Sequence, residues 1–139
     1  MEAITTISRV GEQLLCRPTT FYNDACFSAV SNLQCSCGKE EQLSITPYES
    51  GFPLAQLYHY QQFISTSQLL ARGMAKETAP FYQHFGAYTV NNLPTFYFKT
   101  VCDQCHQKRI TVFSFGEQQP GLEVLTISGT WKLEEESSH

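Results

Sequence analysis

Two short-spaced cysteine pairs, Cys35-x-Cys37 and Cys102-x-x-Cys105, constrain this chain more than any other feature, because each stands between two strand-like runs. Ahead of the first pair, Ala25, Phe27, Ala29 and Leu33 alternate with a more polar set. Past Cys37 and Gly38, residues 41–46 alternate again and stop at Pro47. Around the second pair, residues 95–101 lead in and residues 109–115 lead away with the same period. Both pairs are therefore expected at the tips of antiparallel hairpins. Gly38 suits such a turn, since aiming two sulfurs to one side calls for a positive φ that glycine adopts without steric cost. His106 and Gln107 lack that freedom, which makes the second turn the less ideal of the two.

What the cysteines do depends on the compartment. The start, residues 1–10, has an acidic second residue and no basic cluster followed by an apolar core, so it does not read as a secretory signal. No stretch stays apolar for the ~18 residues that a membrane span requires. A soluble, cytoplasmic chain is expected, and in that reducing setting paired cysteines are read as ligands or redox groups rather than as a disulfide framework. A tetrahedral zinc ion takes four thiolates at about 2.3 Å, and two turns that each deliver two sulfurs complete its shell. Cys35, Cys37, Cys102 and Cys105 are thus the expected ligands of one structural Zn2+ per chain. Cys16 and Cys26 lack a close-spaced partner and are expected to be ordinary buried thiols, with Cys26 the substitute should the Cys-x-Cys turn fail to supply both sulfurs.

Cys35, Cys37, Gly38, Cys102 and Cys105, with their flanking strands, resemble the zinc-ribbon class, in which two hairpin knuckles bring four cysteines to a structural zinc. The pattern departs from that class in its Cys-x-Cys first knuckle and in the offset of 65 positions from Cys37 to Cys102. The resemblance implies an α+β fold, an antiparallel β-sheet with two cysteine-tipped hairpins packed against helices inserted at about 53–86. Pro53 and Gly73 bracket the stripe Leu54, Leu57, Tyr58, Phe63, Ile64, Leu70 and Ala71, which predicts a helix over 53–72. Thr78 is placed to cap a second helix that ends at Gly86 and carries Phe81, Tyr82 and Phe85, aromatics expected in the core. A short amphipathic helix is expected over 3–15, and a third C-terminal strand over 122–128, after a turn at 116–121, with Trp131 continuing it. One domain spans 1–133, followed by an acidic tail, 134–139, that is expected to fray.

Two rival readings of the second pair fail on context. Cys102 to His106 also matches Cys-x-x-Cys-His, the haem-attachment signature, but no export signal precedes it and strand follows where helix is needed. A thioredoxin-like site likewise needs a helix opening at the pair. The sequence lacks the His-x-Glu of the base deaminases and the common phosphate-loop and nucleophile motifs. A closed four-thiolate shell leaves no position for water, so no catalytic residue is nominated, and His59 and His84 are read as surface histidines.

Hydrophobic residues at 42% and charges at 16% support a folded chain, while a net charge of −4 opposes a general affinity for phosphate backbone or anionic lipid. Lys39, Lys99, Lys108 and Arg109 flank the knuckles, where they either offset thiolate charge or touch a nucleic acid. The function expected is a non-catalytic, cytosolic, zinc-stabilised domain for protein–protein interaction or self-association. A nucleic-acid-associated ribbon and an enzyme with a pocket between helices and sheet are the alternatives.

Overall fold

Strand pairing is antiparallel in every ladder of the described residues. The computed structural model describes residues 1–17, 21–23, 29–47, 49–60 and 62–136. In chain order the strands are β1 (Ser8–Gln13), β2 (Leu15–Arg17), β3 (Phe21–Asn23), β4 (Ala29–Gln34), β5 (Glu40–Ile45) and β6 (Phe52–Pro53). A π-helical turn (Gln56–Tyr60) and helix α1 (Thr66–Ala71) follow, then β7 (Lys76–Glu77), a 3-10 helix (Pro80–Phe85) and β8 (Tyr88–Thr89). The chain closes with β9 (Thr95–Val101), β10 (Lys108–Gln119) and β11 (Leu122–Glu135).

The main sheet runs β1-β11-β10-β9-β6, with β3 also on β11; a second sheet runs β2-β4-β5, and β7 pairs with β8. Strand β10 sits between β9 and β11, and its side chains are buried without a break from Arg109 to Phe115, the pattern of a strand covered on both faces. Neighbouring side chains along a strand point to opposite faces. Accordingly Tyr97, Ile110 and Val112 enter a cluster with Trp131, Leu133, Leu54, Leu57, Ile64 and Leu69. Phe98, Phe113 and Phe115 enter another, with Leu33, Leu43 and Ile45 of the second sheet. The main sheet is thus sandwiched between the short helical connection and the β2-β4-β5 sheet, and burial of these large apolar side chains, worth roughly 1.5 to 3 kcal/mol each, holds the layers together.

Several expectations are corrected. The helix expected over 3–15 is strand instead: Ser8 and Val10 are buried, Arg9 is exposed, and β1 pairs with β11. Of the residues at helical spacing that suggested it (Ala3, Ile4, Ile7, Val10, Leu14 and Leu15), Ile7 and Leu15 face solvent at 55% and 67% exposure. The inserted helices at about 53–86 are not present as such. A left-handed residue, Gln62 with φ 55°, ends the first helical turn, and Ser65 starts a new helix by accepting a bond from the Gln68 amide. Leu54, Leu57, Tyr58 and Ile64 of the stripe are still buried, whereas Leu70 and Ala71 face solvent and Leu69, outside the stripe, is buried in their place, so the segment reaches the core through a folded connection rather than one rod.

Thr78 does not cap the 3-10 helix; it is buried and shares a hydrogen bond of 3.0 Å with Thr89, while Ala79 holds the capping position. The 3-10 helix buries no residue, and Phe81, Tyr82 and Phe85 are exposed, with rings packed on one another rather than into the core. The expected turn over 116–121 contracts to Pro120 and Gly121, since β10 continues to Gln119. Strand β11 extends to Glu135, inside the segment expected to fray, because Glu135 accepts a 2.7 Å bond from the buried Lys99 ammonium. Residues 24–28, with Cys26 among them, and residues 137–139 lie outside the described residues.

Candidate metal centre

Two connections carry the cysteines, one from each layer. Residues 35–39 join β4 to β5 in the second sheet, and residues 102–107 join β9 to β10 in the main sheet. In the first, the Cys35 amide donates to the Lys39 carbonyl at 2.8 Å and the Gly38 amide to the Cys35 carbonyl at 2.9 Å. In the second, the Cys102 amide donates to the Gln107 carbonyl at 3.0 Å and the His106 amide to the Cys102 carbonyl at 2.9 Å. Each turn closes on a left-handed residue directly after its last cysteine: Gly38 at φ 94° and His106 at φ 63°.

That shared geometry sets opposite outcomes for two substitutions. A left-handed residue with a Cβ costs roughly 1 to 2 kcal/mol, so His106→Gly is expected to stabilise the fold by about 1 kcal/mol. Gly38→Ala meets no atom within 4 Å, so its expected cost, also about 1 kcal/mol, comes from backbone strain alone. Denaturant midpoints of the two variants, measured against the parent at equal metal loading, check both signs.

The turns bring together all four cysteines expected as ligands: the sulfurs of Cys35, Cys37, Cys102 and Cys105 lie within 4.8 Å of one another. Cys35 and Cys102 are buried and Cys37 and Cys105 are exposed. Across the two connections, Cys35 Sγ stands 3.5 Å from Cys105 Sγ, and Cys37 Sγ stands 3.8 Å from Cys102 Sγ. A tetrahedral ion with sulfurs at about 2.3 Å has sulfur–sulfur edges of about 3.8 Å. The cluster therefore fits a four-coordinate ion, and the separations are too long for disulfide bonds of about 2.05 Å. Cys16, half-buried and free, lies outside the cluster.

Without an ion, the four thiols cannot all ionise at such separations. The Cys102 thiol is drawn down to about 6, first by the Cys105 amide and, against some desolvation, by the Gln104 amide. At Cys35 burial works upward, yet the Cys37 amide and the Cys105 thiol leave it below the ordinary thiol value. Cys105 moves the other way. The Gln107 amide pulls it down, but desolvation and the sulfurs of Cys35, Cys37 and Cys102 together push it up to about 12. One sulfur yields its proton readily while another retains it, and a divalent cation is what allows the whole set to be thiolate.

The surrounding charges are matched in pairs. Lys39 contacts Asp103 across the two turns, and Arg109, 1% exposed, pairs with Glu41 of β5 while its Nε donates to Thr100 at 3.1 Å. Lys99 lies 2.7 Å from Glu135 and 3.5 Å from Glu2, and Lys108 lies 3.6 Å from Glu135. Each of the four cations flanking the cysteines thus faces a carboxylate of this chain. Sequence reasoning missed Lys132 of β11. Its ammonium is held above the ordinary lysine value by a hydrogen bond to Glu12, by the charge of Glu12 and by the Cys35 and Cys105 sulfurs. No local signal marks that residue, which reaches the site only through strand pairing.

His59 and His84 are exposed and remote from the cluster, and His106 contributes its backbone turn rather than a fifth ligand. Of two cavities of about 430 and 420 Å³, the first lies beside Leu15, Gln34, Glu40 and Gln42, next to the first cysteine connection, and the second beside Arg9, Gln68 and Glu134; among the described residues no cysteine or histidine lines either. Among the described residues, no helix is long and apolar enough to cross a membrane. Comparison with protein-family models, with curated protein sequences and with solved structures finds no match to this chain.

Proposed function

We propose that Cys35, Cys37, Cys102 and Cys105 hold one structural Zn2+ that fastens the β4–β5 connection to the β9–β10 connection, in a zinc-ribbon-like arrangement within a cytoplasmic, non-catalytic interaction domain. The observation that carries this reading is the pair of sulfur separations, 3.5 and 3.8 Å, at the edge length of a thiolate tetrahedron. Four soft donors favour zinc over hard cations, and a shell closed by four protein sulfurs leaves no site for a reacting water. The ion supplies no chemistry beyond cross-linking. The chain's own residues do the rest: backbone amides orient the sulfurs, while the Lys132 and Lys39 ammoniums, each also paired with a carboxylate, lie close enough to feel the cysteine sulfurs.

A partner protein or a second copy is the partner class this reading favours over nucleic acid. Lys39, Lys99, Lys108 and Arg109 are each engaged by a carboxylate, which leaves little of their charge to attract phosphates.

Elemental analysis of protein purified without added metal tests the proposal. One zinc per chain, removed by a strong chelator with a fall in thermal midpoint and restored by zinc alone, is the expected result. A metal-free protein that melts identically with and without chelator overturns it, and so does stoichiometric iron.

A further inference from the structure

The same cluster has a second property, which rests on the metal reading above: two of its sulfur contacts cross between the two sheets, and each of these combines an exposed residue with a buried one. Cys105 is exposed and faces buried Cys35 at 3.5 Å; Cys37 is exposed and faces buried Cys102 at 3.8 Å. We propose that hydrogen peroxide, a two-electron oxidant, converts this centre into two cross-sheet disulfides, Cys35–Cys105 and Cys37–Cys102, with release of the metal and retention of the fold.

The chemistry follows from access. The exposed thiolate of each pair attacks the peroxide O–O bond and becomes a sulfenic acid, and the departing hydroxide takes up a proton to leave as water. The buried thiolate then attacks that sulfur, forming the S–S bond and displacing a second hydroxide, which is also protonated to water. For the whole centre, a zinc tetrathiolate of charge −2, two peroxides and four protons give two disulfides, free Zn2+ and four waters, so atoms and charge balance. The buried partner, already in van der Waals contact, intercepts the sulfenic acid before further oxidation.

The direction of pairing decides what oxidation does to the molecule. Disulfides within a connection would leave no covalent tie between the two connections, only packing and the Lys39–Asp103 and Arg109–Glu41 ion pairs. Cross-sheet disulfides reproduce the tie that the metal provides, because Cys35 and Cys37 belong to the β4–β5 connection and Cys102 and Cys105 to the β9–β10 connection. The apolar contacts of Leu33, Leu43 and Ile45 with Phe98 and Phe113 then persist in the oxidised state. Oxidation therefore unloads metal without melting the domain.

The test uses the full chain in a Cys16→Ser/Cys26→Ser background, with metal content measured first and peroxide then added in modest excess over thiol. Zinc release is followed with a chromogenic chelator, backbone structure by far-UV circular dichroism, and pairing by non-reducing peptide mapping with fragmentation between Cys35 and Cys37. The expected result is one zinc released per chain, loss of four hydrogens relative to the reduced chain, both cross-sheet linkages, unchanged dichroism, and recovery of zinc binding on reduction. Zinc retained under peroxide, a Cys102–Cys105 linkage, higher oxidation to sulfinic acid, or unfolding on release overturns this inference while leaving the metal reading intact. A chain that carries no metal as purified, yet forms both cross-sheet linkages, overturns the metal reading and leaves the pairing standing.

Discussion

Cys102→Ser is expected to abolish stoichiometric zinc binding and to lower the thermal midpoint by more than about 10 °C, the largest effect of any single substitution in this chain. The size follows from comparing two energies. Structural zinc sites contribute on the order of 10 kcal/mol of binding free energy, as much as the entire net stability of an ordinary domain, about 5 to 15 kcal/mol. Of the four clustered cysteines, Cys102 is the one whose loss is expected to matter most. It is fully buried directly after β9, and its thiol is the one drawn down to about 6, first by the Cys105 amide and then by the Gln104 amide. A serine hydroxyl there keeps its proton at neutral pH and offers a harder, poorer donor.

Cys16→Ser serves as the control. It removes a free, half-buried thiol outside the cluster and is expected to leave zinc content unchanged, with a stability cost no greater than about 1 kcal/mol. Metal content and melting curves of the two variants, recorded together, distinguish a ligand from a bystander. Equal zinc content in the parent and the Cys102→Ser protein would remove this residue from the ligand set.

The four sulfurs were legible in the sequence because short spacing confines each pair to one turn, whatever the rest of the fold does. Strands β9, β10 and β11 were legible for a similar reason: alternation over Thr95–Val101 and the β-branched run after Arg109 are local patterns, and their partners follow in the chain. The N-terminal segment was not legible. Val10 and Leu14 are four apart, a spacing that suits a helix, and what decides otherwise is pairing of Val10 with Leu133 near the opposite end of the chain.

The middle of the chain misled for another reason. Leu54, Leu57, Tyr58 and Ile64 of its apolar stripe are buried while Leu70 and Ala71 are exposed, because helix continuity depends on backbone capping. Gln62 in a left-handed conformation and Ser65 as a cap split what periodicity alone joins. Phe81, Tyr82 and Phe85 illustrate the converse: aromatic character suggests burial, whereas this segment is too short and too tightly wound to bury any residue. Exposure is a property of where an element is carried, and residue type does not encode that.

Arg109→Met is expected to cost about 3 kcal/mol, because truncating one partner of a buried pair leaves the other charge without compensation. Arg109 is 1% exposed in a strand covered on both faces, and its guanidinium pairs with Glu41 of the second sheet while Nε bonds Thr100. It is therefore a tie of charge between the two layers, beside the metal tie proposed at the cysteines. Glu41 keeps 26% side-chain exposure, so part of its cost in the variant is relieved by water, which holds the expected loss to the lower end of the range for such pairs. The double replacement Arg109→Met/Glu41→Gln is expected to recover at least about 1 kcal/mol over the single one, since no unpaired charge then remains at the seam. A double-mutant cycle on denaturant midpoints measures the coupling. If the double variant were no more stable than Arg109→Met, the arginine would be acting through its packed aliphatic stem and the Thr100 bond. The cycle repeated on metal-free protein separates the two ties: a larger penalty for Arg109→Met without metal means that the ion pair and the tetrathiolate secure the same seam between β5 and β10.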